Sequence, residues 1–264
     1  MTNLPRISIV TPVFNRVGMI EQTIQSVLGQ HYPNLEYIII DGGSTDGTVD
    51  IIRRYENQLA YWVSEPDKGM YDAIMKGFSR ATGDILAWIN SDDMYHPDAL
   101  NIVGQIFSQL HNVEWITGTP TLYNAEGLCV KVFQTPLWSW QRFKSGDFRW
   151  LQQESTFWRR SLWDKVGGLN LQYKLAADFE LWCKMFQYSK LYSVNTILGG
   201  FREHGNQLSL TQADKYSAEV KTITAQYGMR YSINRWRLLW SHYCHHRKNR
   251  SVVCYDFSKR QWSI

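Results

Sequence analysis

"DILAWINSDDMYHPDAL", residues 84–100, holds an apolar run, a polar turn with adjacent carboxylates, and the start of an apolar helical pattern. "DILAWIN" (84–90) has the length and continuity of a strand covered on both faces. From 97 to 110, Leu100, Val103, Phe107 and Leu110 recur at helical spacing. Between these elements stand Asp92 and Asp93, a like-charged pair that costs stability unless a cation compensates. A solvated turn capping the helix near Pro97 accounts for them without any ligand. A divalent cation with a bound anion accounts for them as well, and the rest of the chain has to choose.

Upstream, the same strand-then-helix order repeats. "ISIVTPVF" (7–14) is β-branched and continuous, and Ile20, Ile24, Val27 and Leu28 then follow at helical spacing to Gly29. "LEYIII" (35–40) is a second buried strand, followed by a helix through Val49, Ile51, Ile52 and Tyr55 and a short strand, "YWV". Met70, Ile74, Phe78 and Ala81 mark a helix over 69–81. Downstream, shorter strands ("VEWITG", "CVKVFQ") and a Trp-rich stretch precede a helix near 178–188, and helical patterns return after 212. This alternation predicts an α/β fold with a doubly wound, mostly parallel sheet and C-terminal helices. Ligands of such sheets bind beyond the carboxyl ends of the strands. The clusters "TPVFN", "DGGSTDG" and "NSDD" all follow strand ends and should converge in one crevice.

The glycines exclude two nucleotide sites. Residues 11–16 are "TPVFNR", so no G-x-G-x-x-G follows the first strand, and no G-x-x-x-x-G-K-[ST] occurs. Asp41 at the end of the second strand suits a hydrogen bond to a base or ribose, with Gly42 and Gly43 leaving room. An ordinary βα turn capped by Ser44 or Thr45 is the plainer reading. In "SEPDKGMYDA" (64–73), Asp67 and Asp72 suit a first helical turn, and Lys68 is placed to reach a phosphate. Mg²⁺ typically takes one or two protein carboxylates plus substrate phosphate oxygens. Asp92 and Asp93 with a diphosphate would complete such a site.

"SIVTPVFNR", "IIIDGGSTDGT", "EPDKGMYDA", "ATGDILAWINSDDMYHPDAL", "WRRSLWDKVGGLN", "AADFELW" and "FREHG" fall in the order seen in glycosyltransferase family 2, which the chain resembles over residues 5–210. The resemblance implies a GT-A fold and an inverting transferase using a nucleotide-diphospho-sugar, with UDP preferred, and Mg²⁺ or Mn²⁺. It implies that Thr11, Pro12, Asn15, Asp41, Asp67, Lys68, Asp72, Asn90, Ser91 and Asp92 line the donor site. It makes Asp93 and His204 the metal residues and Asp178 the catalytic base. Ser91 leaves no strict D-x-D triplet, Met75 stands where many relatives have Asn, and Ala177 replaces an acid that often precedes the base.

The chemistry agrees: inversion at a sugar C1 requires one general base on the acceptor hydroxyl and stabilisation of the leaving diphosphate. Glu180 competes with Asp178, but residues two apart on a helix do not share a face. Among Trp138, Trp140, Trp150, Trp158, Trp163 and Trp182, the last lies one turn past Asp178 and is the expected acceptor contact. The acceptor implied is a glycan or a polyprenyl-linked hydroxyl in cell-surface glycan synthesis. A non-catalytic nucleotide-sugar-binding protein and a glycoside hydrolase are the competing functions. The first predicts a disabled base, and the second needs no metal loop.

Charge divides the chain into unequal parts. Of 28 Lys/Arg and 24 Asp/Glu, residues 229–264 hold eight basic and one acidic, leaving 20 and 23 in residues 1–228. We expect a nucleotide-binding half (1–110), an acceptor and catalytic half of the same domain (111–210), and a basic, aromatic, helical extension (211–264). The extension carries Tyr231, Trp236, Trp240, Tyr243, Tyr255, Phe257 and Trp262, a composition suited to peripheral contact with an anionic leaflet. His242, Cys244, His245 and His246 lack the paired spacing of a zinc module, and no nucleic-acid motif is present. Without C-x-x-C spacing, a charged-then-apolar leader or a long apolar run, the expectation is a cytoplasmic protein with free thiols, peripheral on the inner membrane face.

Overall fold

The computed structural model describes residues 4–146, 151–205, 207, 211–229, 240 and 251–264. The two long apolar runs form β1 (Ile7–Val13) and β2 (Leu35–Asp41), parallel and in register from Ile7↔Leu35 to Val13↔Asp41. α1 (Ile20–Leu28) connects them, and α2 (Thr48–Arg54) leads to β3 (Tyr61–Ser64). α3 (Met70–Arg80), β4 (Ile85–Trp88), β5 (Met94–Tyr95) and α4 (Ala99–Gln109) complete the first half.

Strand periodicity explains the two layers. Ile38 and Ile40 of β2 join one core with Val10, Leu86 and Trp88, while Tyr37 and Ile39 join the opposite core with Ile9 and Ala87. A sheet buried on both faces accounts for the continuous apolar runs. α3 lies tight on β1, because a Cβ at Gly77 would stand 2.4 Å from Val10 Cγ1. Any larger residue there would push the helix off the strand.

The second half enters the same sheet. β6 (Trp115–Thr117), β9 (Thr156–Arg159) and β10 (Leu191–Val194) extend it, and β9 runs antiparallel to both β4 and β6. The strand order of the nine-stranded sheet is β13-β12-β10-β6-β9-β4-β1-β2-β3. A smaller sheet, β5-β11-β7-β8, uses β7 (Thr121–Tyr123), β8 (Cys129–Val132) and β11 (Gly199–Arg202). The intervening helices are α5 (Trp140–Lys144), α6 (Arg160–Val166) and α7 (Ala177–Tyr188).

Two expectations need correction here. Trp182 is 2% exposed and stacks on Trp88 (6.1 Å, 3° between planes) and Trp115 (5.9 Å). It is core, not an acceptor contact. The C-terminal extension is also not wholly helical. After α8 (Ala213–Gln226), residues 252–263 form a hairpin of β12 (Val252–Asp256) and β13 (Gln261–Ser263), with β12 parallel to β10. Val253 and Trp262 are buried in the α4 core, and Trp262 Nε1 donates to Gln105 Oε1 at 3.2 Å. Tyr255 packs edge-on against Trp262, so these two aromatics serve the sheet. Tyr231, Trp236, Tyr243, Trp150 and the His242–His246 cluster lie outside the described residues. Among the described residues no helix is long and apolar enough to cross a membrane.

Candidate active site

The carboxyl ends of β1 and β4 open into a cleft of about 710 Å³, within the size range of small-molecule sites. Its lining includes Pro12, Arg16, Asp67, residues 90–93, Glu154 and Asp178, and α8 contributes Tyr216.

The carboxylate turn is built from the backbone outward. Asp93 N donates to Asn90 O (3.1 Å), and Thr23 Oγ1 of α1 lies 3.0 Å from Ser91 O and 2.8 Å from Asp93 O. Asp93 is buried; its Oδ1 accepts Arg202 N (2.9 Å) and its Oδ2 accepts Asn90 Nδ2 (3.1 Å). Burial, then the charges of Glu154 and Asp92, pushes its carboxyl well above the usual carboxylate range. Asp92 is more open: its Oδ2 lies 3.1 Å from His204 Nε2 and 3.6 Å from Arg16 Nε. His204 thereby reaches the turn through Asp92.

Asp178 sits in the first turn of α7, where Tyr71 of α3 places its hydroxyl 3.0 Å from Oδ1. Burial raises the carboxyl, against the pull of its backbone and Tyr71 hydrogen bonds. The loop before it is held by Glu219 of α8, whose carboxylate accepts the N–H groups of Lys174, Leu175 and Ala176 at 2.8–2.9 Å. Glu180 points elsewhere. It accepts Tyr227 OH (2.9 Å) and pairs with Lys184 (3.1 Å).

Several residues expected at the donor site support it from behind. Thr11 is fully buried against Tyr37 OH (3.0 Å). Asp41 is also fully buried. Its Oδ2 accepts Gly43 N, Ser44 N and Ser64 Oγ, and its Oδ1 accepts Ser44 Oγ. With both oxygens engaged, Asp41 organises the glycine turn and does not present an open carboxylate to a base. Asn15, at φ 50°, accepts Thr45 N at 3.0 Å and ties the first loop to the second. Lys68 is exposed and absent from the cleft lining, and its N–H donates to Asp72 (3.0 Å), which acts at the start of α3. Pro12, Asp67, Asn90, Ser91, Asp92, Asp93 and Asp178 do share the cleft.

Arg16, Tyr71, Glu154 and Tyr216 were not expected there. Arg16 adjoins the quoted "FN" and was within reach of sequence reasoning. Glu154 sits in "QQES" inside a Trp-rich stretch and carries no local signal. For a divalent cation the donor set is oxygen-rich, with Asp92, Asp93 and the buried Asn90 Oδ1, which has no partner among the described residues. No group of three His/Cys/Asp/Glu among the described residues forms a ready cage. The residues therefore fit a hard cation completed by substrate oxygens, and not an all-protein site.

The family model described as Glycosyl transferase family 2 matches residues 8–124. An uncharacterized glycosyltransferase of Mycobacterium tuberculosis (strain CDC 1551 / Oshkosh) is 34% identical over 185 residues, covering 68% of each chain. The chain belongs to glycosyltransferase family 2. A PGL/p-HBAD biosynthesis glycosyltransferase of Mycobacterium bovis (strain BCG / Pasteur 1173P2) is 25% identical over 88% of this chain and 91% of its own. Among solved structures, S. aureus TarS 1–349 in complex with UDP-GlcNAc superposes with TM-score 0.69 at 16% identity, covering 93% of this chain and 74% of that one. A longer TarS chain is covered over 44% of its length. Mannosyltransferase PcManGT from Pyrobaculum calidifontis, in complex with GDP-Man and Mn²⁺, gives TM-score 0.62 at 15% identity over 94% and 77% of the two chains. This family 2 glycosyltransferase has the GT-A fold.

Proposed function

We propose that the chain transfers a sugar, with inversion, from a nucleotide-diphospho-sugar to a hydroxyl of a glycan or polyprenyl-linked acceptor. The observation that carries this is the placement of Asp178, on α7, and the Asp92/Asp93 turn, after β4, in one cleft. Asp178 accepts the acceptor's proton as its oxygen forms the new bond to C1 and the C1–oxygen bond to the diphosphate breaks. Arg16 stands beside Asp92 as a cation for the departing diphosphate. Asp93 and Asp92 would hold Mg²⁺ or Mn²⁺, which neutralises charge developing on the leaving group. The donor-binding reading extends to UDP, which we prefer, and is in keeping with the TarS structure in complex with UDP-GlcNAc. A glycoside hydrolase is not retained, because the family is one of transferases. A purely binding role is disfavoured by Asp178 lining the cleft.

Attachment to an anionic leaflet would not use Tyr255 and Trp262, which pack in the sheet. Among the described residues, Trp240 (68% exposed) and Phe257 (85%) would serve it, with Lys259 and Arg260 following Phe257 at the hairpin tip.

Thermal shift of the full chain with UDP, GDP and their sugars, with and without Mn²⁺ or Mg²⁺, tests the donor reading. A cation-dependent rise for one nucleotide series supports it, and no shift for any of them overturns it.

A further inference from the structure

Glu154 has no part in the reaction as written, yet it is held in the cleft with unusual rigidity. It lies in a 3-10 turn, Gln153–Ser155, fastened to both sheets. Gln153 Nε2 donates to Trp88 O (2.6 Å), Ser155 O accepts Gly118 N (3.0 Å), and Ser155 Oγ donates to Gly199 O (2.7 Å). The backbones meet so closely that a Cβ at Gly199 would stand 2.1 Å from Glu154 O. A side chain on such a turn is placed by the fold and loses little freedom when it binds.

Glu154 is 4% exposed and lines the cleft; its Oε1 is enclosed and unpartnered among the described residues, which leaves Oε2 as the oxygen a ligand can meet. Buried carboxylates are ordinarily paired, because an unmade hydrogen bond there carries the full cost of desolvation. The neighbouring charges that act on it are the carboxylates of Asp178 and Asp92, which add to burial in lifting its carboxyl to about 7. A hydrogen-bond donor of a ligand bound in the cleft would therefore stabilise this carboxylate. The diphosphate is anionic and offers no hydrogen to the ionised form of Glu154. A sugar bound between the diphosphate turn and the base can, through its hydroxyl or amide N–H groups.

We propose that Glu154 is a specificity-determining residue that accepts a hydrogen bond from the donor sugar. This rests on the donor reading given above. A site built to take a hydroxyl rejects analogues lacking it far more strongly than a merely apolar pocket rejects a change of size. The cleft should therefore select sugars carrying a donor group at that one position.

Calorimetry on the full chain and on Glu154→Gln and Glu154→Ala tests this, using UDP, GDP, UDP-glucose, UDP-galactose, UDP-N-acetylglucosamine and GDP-mannose, with and without Mn²⁺. The expected result is that nucleotide diphosphates bind both variants within about twofold of wild type. The extra affinity conferred by the preferred sugar should fall about tenfold or more in Glu154→Ala. Replacing one sugar hydroxyl by fluorine should then cost the wild type a similar factor and cost Glu154→Ala nothing further. An unchanged sugar increment overturns the proposal, as does a wild type that binds UDP or GDP but gains nothing from any sugar. Loss of only the Mn²⁺-dependent diphosphate binding would make Glu154 a cation ligand instead, and unfolding of both variants would make it structural; either overturns it. A wild type that binds no nucleotide removes the donor reading itself.

Discussion

The Tyr71 hydroxyl stands 3.0 Å from Asp178 Oδ1, so helix α3 of the nucleotide half touches the proposed base directly. That bond favours the ionised carboxylate against the burial that raises its pKa. Tyr71→Phe removes it, and the Asp178 pKa should rise further. Activity should fall on the acid side, the acid limb of the pH–rate profile should move to higher pH, and the alkaline plateau should survive. An unmoved limb would show that Tyr71 does not tune the base.

Asp178→Asn should keep nucleotide affinity and lower turnover by roughly 10²–10⁴-fold, the usual worth of a general base. Glu180→Gln should behave oppositely. Glu180 is buried against Tyr227 and Lys184, so its loss should cost about 1–3 kcal/mol of stability and leave turnover within a few-fold. Initial rates and urea melts of the two variants separate these outcomes. The reverse pattern would move the base to Glu180.

Asp93→Asn should abolish the Mn²⁺-dependent part of UDP binding and leave the metal-free part intact. Because burial and the neighbouring acids raise the Asp93 carboxyl, protons compete with a cation for it. Cation affinity should therefore strengthen as pH rises, measurable by titrating Mn²⁺ at several pH values in the presence of UDP. Full transfer activity in a chelator would refute the assignment.

His96 ends the same loop and is buried, with Nε2 2.8 Å from Thr121 Oγ1 and Nδ1 2.8 Å from Tyr123 OH. Burial lowers its pKa from 6.5 to about 4. Between those values the unfolded chain binds the proton and the folded one does not, so this contribution is complete above pH 6.5 and is lost as pH falls toward 4. The loss amounts to roughly 3 kcal/mol. Glu154 and Asp93 shift the other way, so the measurement is the stability difference between wild type and His96→Gln. It should shrink from pH 7 to pH 4.5 in urea melts.

Glu219 holds three backbone N–H groups just before α7. Glu219→Ala leaves these without their partner and should lower both thermal stability and turnover, with little change in UDP affinity. Glu219→Gln should recover part of the loss, because its amide oxygen still accepts.

The sheet was legible because strands buried on both faces leave continuous apolar runs, and β1, β2 and β4 fall where those runs do. That Asp92, Asp93 and Asp178 meet in one cleft was legible from the order of their motifs. Trp182 misled because it lies one turn from Asp178. An acid in the first turn of a helix projects past its end, whereas Trp182 lies inside the tryptophan core. Asp41 misled because a strand-end carboxylate facing a glycine turn can be consumed by its own loop. Glu154 was invisible, since its burial arises from Trp88 and Gly199, 65 and 44 residues from its turn neighbours Gln153 and Ser155. The final hairpin was hidden by its charges, although Val253 and Trp262 follow strand burial.

The place of β12 in chain order also sets when one border of the sheet can close as the protein is synthesised. β1 lies inside the sheet, whereas β12 and β13 follow all the other described strands in chain order and close one border of it. Until those residues leave the ribosome, the nascent chain presents β10 as an unpaired border, and Val194 and Phe107 lack the cover of Val253 and Trp262. Such a border recruits other chains. Termination before Ser251 should therefore yield aggregates during translation, and chaperone demand should peak between the synthesis of β10 and that of β12.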